Sequence, residues 1–433
     1  MAIWAVVMFG VLFLLLLLGF PVAFTLGAVA LGFGSVFLGL GFFDLLPLRI
    51  WGIMTNFTLL AVPLFIFMGV VLEKSGIAEQ LLETMGKLFG RVRGGLAISV
   101  VIVGALLAAT TGVVGASVVT MAVIALPAML KHGYAPTLAA GTIAASGTLG
   151  QIIPPSIILI LLGDVIGVPV GQLFMGAAIP GIMLVLAYVL YIGFVAWQHP
   201  EMAPAIKIDP SQDRHLLIQI VQSLLPPLAL ILTVLGSIFF GIASPTESAA
   251  VGALGALFLA AIHGKLTLNN LTQAMQQTTR LTSMVFLILI GATAFGLVFV
   301  GMGGDDLIFD IFDQLPGGKW SFLILSMLLI FVLGFFLDFI EICFIVVPII
   351  APIALHLGLD PLWFALLIAL NLQTSFLTPP FGFSLFYLKA SASELKLQAI
   401  YRGIIPFIII QLIVLGAVIA FPEMTLWLPN LME

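Results

Sequence analysis

Polar residues in this chain act as punctuation between long apolar runs. Breaking it at Gly, Pro and charge clusters gives ten runs long enough to cross a bilayer, at 3–19, 22–41, 52–72, 135–165, 173–197, 223–243, 246–263, 281–302, 361–389 and 401–421. Two further apolar segments, 94–130 and 321–355, are too long for one crossing. Each is interrupted near its middle, by Thr110-Thr111-Gly112 and by the stretch from Asp338 to Glu341, so each is expected to fold back as a re-entrant helical hairpin. Ten-residue alternation is missing, which excludes an outer-membrane barrel. The pattern therefore predicts an all-α polytopic membrane protein with about ten spans plus two re-entrant hairpins.

Composition agrees: of 433 residues 62% are hydrophobic and 8% charged, against about 45–50% and about 25% in soluble domains, which excludes a water-soluble enzyme. Ten spans and two hairpins put both termini on one side. With both termini outside, twelve of the 14 Lys and Arg residues fall inside and only Arg49 and Lys319 outside. Cytoplasmic loops collect positive charge, so this sorting supports the span assignment and predicts periplasmic termini. The external segment 304–320 carries Asp305, Asp306, Asp310 and Asp313. Segment 73–93 reads as an amphipathic helix along the inner surface, or as a solvated connecting helix. Met1 to Phe20 lacks a positive n-region and is expected to be a first span, not a cleaved signal peptide.

Shifting the sequence by 225 positions brings Pro127 onto Pro352, Gly133 onto Gly358, Pro136 onto Pro361, and Pro154-Pro155 onto Pro379-Pro380, with 10 identities in 32 positions from Ile124 to Pro155. The first copy enters from the cytoplasmic side after Arg93 and the second from outside after Lys319, so the repeats are inverted. That arrangement is typical of transporters whose sites lie where discontinuous helices meet. The expected organisation is one membrane unit over 1–433, with repeats at about 22–197 and 246–421 and a cytoplasmic linker at about 198–222.

Candidate chemistry concentrates at the paired proline breaks. Tandem prolines release carbonyls around Gly150, Gln151, Ser375 and Phe376 from the helical ladder. Ser146, Thr148, Gln151, Asn371, Thr374, Ser375 and Thr378 lie within a turn or two and could complete an oxygen shell around a cation. The alternative is a proline kink satisfied by neighbouring helices; two breaks related by a repeat favour ion or substrate binding. At the hairpin tips, Thr110, Thr111, Gly112, Gly115 and Ser117 supply hydroxyls and small residues. Asp338 and Glu341 are acids in an apolar stretch, where a charge costs about 3 kcal/mol at the bilayer centre; Asp338 could also simply cap a helix. No Lys or Arg lies mid-membrane, so an anionic substrate would be held by helix N-termini, hydroxyls, amides and bound cations. Asp164 reads as a helix-end residue, and Ser244 to Glu247 has the spacing of a capping box.

Catalysis is poorly supported. His132, His199, His215, His263 and His356 all lie at span ends or in loops, and metalloprotease and nucleotide-binding motifs are missing. Cys343 reads as a small buried hydrophobe. No basic tract suits nucleic acid. The expectation is a protein that is not an enzyme and has no cofactor.

Several stretches resemble the large membrane subunit of tripartite ATP-independent periplasmic (TRAP) transporters over nearly the whole chain. They are Leu18 to Phe24, Leu60 to Phe65, Ile124 to Ser156, Ser244 to Ala250, and Asp338 through Gly382. The resemblance implies a sodium-driven inner-membrane importer of organic acids, of the C4-dicarboxylate or 2-keto/hydroxy carboxylate class. Its fold would be an inverted-repeat elevator-type transporter, with a small four-span membrane subunit and a periplasmic substrate-binding protein as partners. It also implies one sodium site at Thr110, Thr111, Gly112, Gly115, Ser146, Thr148 and Pro154. A second would lie at Asp338, Asn371, Thr374, Thr378 and Pro379, with substrate between them against Ser117, Gly147, Gln151, Ser156, Ser375 and Gly382. Where many members have a serine-rich first tip, this chain reads Thr110-Thr111-Gly112-Val113-Val114-Gly115-Ala116-Ser117, which leaves the first cation's hydroxyl ligand open. The alternative is a self-sufficient carrier of the divalent-anion/sodium symporter type.

Overall fold

A computed structural model describes residues 1–112, 114–206, 216–314 and 316–431, and every regular element among them is helical. In chain order these are α1 (Ala2–Leu17), α2 (Val22–Phe37), α3 (Leu46–Met54), α4 (Ala61–Lys74), α5 (Ile77–Phe89), α6 (Gly95–Thr111) and α7 (Val114–Lys131). Then come α8 (Pro136–Thr148), α9 (Ile157–Ile166), α10 (Val170–Gln198), α11 (Leu216–Phe239), α12 (Pro245–Ile262), α13 (Leu268–Gly301) and α14 (Gly304–Asp313). The last are α15 (Lys319–Leu333), α16 (Phe339–Glu341), α17 (Val347–His356), α18 (Pro361–Leu377), α19 (Phe383–Ser391), α20 (Leu397–Ala420) and α21 (Glu423–Asn430). A π-helical stretch, Ile342–Val346, joins α16 to α17, so Phe339–His356 is one helical segment.

Among the described residues, seven helices are long and apolar enough to cross a membrane, or eight if the bent pair Leu40–Met54 and Thr58–Lys74, which meet at 56°, counts as one span. The predicted hairpin 94–130 is α6 and α7, and 321–355 is α15 to α17. The predicted runs 135–165 and 361–389 are each a broken helix, α8 with α9 and α18 with α19.

The residues that match at the 225 offset have local structural jobs. Gly133 and Gly358 take φ of +80° and +73°, the left-handed geometry that ends α7 and α17 and that glycine adopts without steric cost. Pro136 and Pro361 then occupy the first positions of α8 and α18, where the missing N–H would have had no helical partner. A shift of 225 carries 114–131 onto 339–356 and 157–166 onto 382–391, beside the observed α19 at Phe383–Ser391.

Packing repeats this correspondence. The bundle α2, α4, α12, α13 joins α2 to α13 and α4 to α12. Each hairpin packs on the helix before the break of its own copy, α6 and α7 on α8, α15 on α18. Each also reaches across, α7 to α19 and α17 to α9. The helices that precede the breaks form the centre: α8 from Leu138 to Thr148 and α18 from Leu362 to Leu377 are buried on every face. At the crossing of α8 and α20, a β-carbon built on Gly403 would lie 2.0 Å from Thr137 O and one on Gly141 2.1 Å from Gly403 O. Only glycine fits this contact.

Several boundaries differ from the sequence reading, and the run 52–72 is broken between α3 and α4. Glu73 and Lys74 finish α4, and the amphipathic helix starts at Ile77, burying Leu81, Leu82 and Met85 while Glu83 and Lys87 pair at 2.6 Å on its outer side. α11 begins at Leu216, not 223, and runs on through Pro226 and Pro227; residues 207–215 of the linker lie outside the described residues. α13 begins at Leu268, not 281, with the Thr267 hydroxyl accepting from Asn270 N. Its 34 residues span about 50 Å at ~1.5 Å per residue, beyond a hydrocarbon core of about 30 Å. The polar stretch from Asn269 to Gln277 therefore continues the helix out of the apolar layer. The Ser244–Glu247 capping box forms as expected.

Candidate functional site

The two breaks pack against the two hairpins. At the first, α8 gives way to a 3-10 turn, Leu149–Gln151, before the chain re-enters helix at Ile157. At the second, α18 stops at Leu377 and α19 starts at Phe383. Both Pro-Pro bonds, Pro154-Pro155 and Pro379-Pro380, are cis.

The first tip rests on the first break. Gly112 is seated on Ile157, where an added β-carbon would meet Ile157 Cγ1 at 2.9 Å, and Gly147 faces Val118. Gly115 lies instead under the Tyr387 ring of α19, so the first tip touches both copies. Ser117 is buried. The side chains of Thr110 and Thr111 lie outside the described residues.

The hydroxyls around the breaks share one arrangement. Ser146 donates to Ile143 O at 3.0 Å, Thr148 to Ala145 O at 2.8 Å, Thr374 to Leu370 O at 2.9 Å and Thr378 to Thr374 O at 2.7 Å. With each proton committed to the helix backbone, the oxygens can only accept. Asn371 donates its Nδ2 to Met327 O at 2.7 Å and Ser375 its hydroxyl to Phe331 O at 2.7 Å, both on α15. Gln151 is fully buried and neither its Oε1 nor its Nε2 has a hydrogen-bond partner.

Three of the four carbonyls expected to be free are not: Ser375 O accepts from Thr378 N at 3.0 Å, and the other two are taken by serine hydroxyls. Ser156 donates to Gln151 O at 2.8 Å, and Ser384 donates to Phe376 O at 2.7 Å. The two carbonyls correspond at the 225 offset, but the serines do not, which is why register matching in the sequence missed Ser384. Satisfying these groups internally is what low-dielectric surroundings demand. Each carbonyl keeps one lone pair for another partner.

At the second tip, Asp338 caps the helix: its Oδ1 accepts from Phe339 N at 2.7 Å, while Asp338 N donates to Glu341 Oε2 at 3.1 Å. The geometry matches the capping alternative, with each acid giving one carboxylate oxygen to a backbone N–H group. Among the described residues no cluster of three His, Cys, Asp or Glu could hold a metal ion.

A cavity of about 520 Å³ opens between α3, α13, α14, the end of α9 and the second arm of the second hairpin, with Arg49, Asp164, Asp305 and Asp306 among its lining. None of the predicted site residues lines it. Asp164 accepts from Asn56 Nδ2 at 2.5 Å there.

The family profile described as the DctM component of tripartite ATP-independent periplasmic transporters matches residues 9–424. The chain belongs to this DctM family. Like it are the sialic acid TRAP transporter large permease protein SiaM of Vibrio cholerae, 31% identical over 96% of each chain, and the C4-dicarboxylate TRAP transporter large permease protein DctM of Rhodobacter capsulatus, 29% identical over 99% of each. The fold is similar to that of the Alcanivorax borkumensis YdaH transporter, at a TM-score of 0.59 and 15% identity over 87% of this chain and 88% of that one.

As a DctM-family member the protein is a multi-pass transport subunit and not an enzyme. Within it the sequence missed a second polar group behind the breaks: Gln411 Nε2 bonds Tyr188 OH at 2.8 Å and Thr148 Oγ1 at 3.3 Å, all three buried. The available signal was Gln373, which the 225 offset places on Thr148.

Proposed function

We propose that this DctM-family chain is the permease subunit of a sodium-coupled importer of an organic acid, of the C4-dicarboxylate or 2-keto/hydroxy carboxylate class. Na⁺ occupies the two tip-and-break sites, Thr110, Thr111, Gly112, Gly115, Ser146, Thr148 and Pro154 at one and Asp338, Asn371, Thr374, Thr378 and Pro379 at the other. The substrate carboxylate lies between them, against Ser117, Gly147, Gln151, Ser156, Ser375 and Gly382. The observation that carries this reading is the orientation of the hydroxyls: Ser146, Thr374 and Thr378 have given their protons to the backbone and offer only lone pairs. Lone pairs suit a hard cation such as Na⁺. The unbonded Gln151 amide, fully buried, offers the N–H that a carboxylate requires.

In this reading the hairpins and broken helices move as one body against the α2, α4, α12, α13 bundle, carrying both ions and substrate. The two repeats are inverted, and the protein lies in the inner membrane with both termini in the periplasm. It works with a separate small four-span subunit and a periplasmic binding protein.

Uptake into proteoliposomes tests this. The vesicles contain the chain and its small subunit, with binding protein outside and labelled keto and dicarboxylic acids, with and without an inward Na⁺ gradient. Uptake is expected to need both Na⁺ and binding protein. Uptake that ignores the Na⁺ gradient overturns the coupling, and Na⁺-driven uptake without binding protein identifies a self-sufficient symporter.

A further inference from the structure

Two hydrogen bonds cross from the α2, α4, α12, α13 bundle to the hairpins and broken helices, one at each end of α4. At one end Asn56 Nδ2 donates to Asp164 Oδ1, in the last turn of α9, at 2.5 Å. At the other Thr120 Oγ1 of α7 donates to Glu73 Oε1, in the last turn of α4, at 3.1 Å. Asn56 sits in the bend between α3 and α4, and its Oδ1 already accepts from Thr58 N at 2.9 Å, so the amide presents its N–H₂ to α9. The bend is itself tied to α12, whose Thr246 hydroxyl donates to Phe57 O at 2.7 Å. Thr148, Thr374 and Thr378 give their protons to their own helices, whereas Thr120 gives its proton across the boundary.

The second copy has no counterpart of this pair. The 225 offset carries α4 onto residues 286–299 of α13, and carries Asn56, Glu73, Thr120 and Asp164 onto Leu281, Val298, Ile345 and Lys389. Val298 and Ile345 are buried apolar residues where α13 packs on the π-helical stretch. Lys389 turns instead to Ser393 O at 2.9 Å and Leu395 O at 2.6 Å, just beyond its own helix. On this flank the cavity of about 520 Å³ opens between α13 and α17.

We propose that the Asn56–Asp164 and Glu73–Thr120 bonds are two pins that hold the hairpins and broken helices at this position along α4, and that this body travels only after both have opened. A hydrogen bond fixes its donor and acceptor in distance and direction, whereas apolar contact, which is what the α13 flank offers, has no direction. The resting position is therefore set on the α4 flank. The proposal rests on the movement of this body against the bundle, proposed above, and adds which contacts oppose it; removing them shifts the population toward the other position.

Distances between spin labels, measured by electron double resonance on the full chain with its small subunit in lipid nanodiscs, test it. In a Cys343→Ala background, Phe258→Cys on α12 carries one label, and Val123→Cys on α7 or Phe386→Cys on α19 carries the other, all three positions being exposed. With pins intact and no Na⁺, each pair is expected to give one dominant distance. Thr120→Val with Asp164→Ala is expected to raise a second distance several-fold, and each change alone to raise it less. Thr120→Ser and Asp164→Asn keep a donor and an acceptor and are expected to leave it unraised. A rise in these two as large as in the double variant assigns the effect to packing and overturns the proposal. A second distance that Na⁺ brings out with pins intact, and that the double variant does not raise, overturns the pins and leaves the movement standing. Distances that stay fixed in every variant, with and without Na⁺, overturn the movement itself and the pins with it. The single variants carry the same comparisons where the double variant fails to fold.

Discussion

Ser146 to Ser156 is buried at all but Ile153 and contains an amide, Gln151, bonded to nothing. Asn371 to Gly382 is tied to α15 through Asn371 and Ser375, and its turn reaches the surface at Pro380 and Phe381. Both segments hold a fully buried amide with no hydrogen-bond partner, Gln151 in the first and Gln373 in the second, and the second is also anchored to its hairpin through Asn371 and Ser375. In an apolar medium an unmet amide is costly unless something fills it. Each break therefore has an amide to which a ligand could add bonds, and α15 holds the second in shape in advance.

The harshest way to break the comparison is Gly382→Ala. A β-carbon there would lie 2.7 Å from Phe376 O and 2.9 Å from Thr378 O, whereas the position that corresponds at the first break is Ile157, which bears a side chain without difficulty. We expect Na⁺-dependent uptake to be lost and stability to fall by about 2 kcal/mol or more, read from thermal unfolding of the purified chain. Normal uptake in this variant would mean the second break tolerates reshaping.

Gln151→Leu sharpens the contrast because its two effects have opposite signs. Removing an unpaired buried amide is expected to stabilise the ligand-free protein by about 1 kcal/mol, while uptake drops roughly tenfold, the loss of ~1.4 kcal/mol of interaction with the substrate. Equal uptake would remove Gln151 from the substrate site.

At the second break, Asn371→Ala strands Met327 O and is expected to cost about 1 kcal/mol of stability, and it raises the Na⁺ concentration needed for half-maximal uptake. Thr378→Ala is expected to raise that concentration with less effect on stability, since Thr378 bonds only its own helix. An unchanged Na⁺ dependence in both variants would remove the ion from this break. The smallest effect is expected from Ser156→Ala and Ser384→Ala. Each removes one hydroxyl from a break carbonyl, for about 1 kcal/mol or less by denaturation, and similar values would show that the two carbonyls are held alike.

Much of the fold was readable from the residues. The apolar runs, the two hairpins and the 225 offset followed from hydropathy and from Gly and Pro, because those residues act through backbone geometry that needs no tertiary partner. Helix ends were harder. Pro226 and Pro227 lie inside α11, and Asn269 to Gln277 extend α13 through a stretch whose polarity read as loop. The breaks and hairpin tips were legible in their locations and not in their bonds. Asp338 lies at the tip as read, but its carboxylate caps Phe339 N; Ser384, Gln411 and Tyr188 were passed over because their partners come from other helices.

The sequence by itself determined where the helices break and which residue types stand at the breaks, since proline removes a donor and blocks the ladder whatever surrounds it. Tertiary structure alone decided which hydroxyls keep a lone pair, which carbonyls are already taken and which amides are left unmet. A side chain's hydrogen bonds depend on residues brought next to it from far along the chain, as when Gln411 reaches Tyr188 across 223 positions.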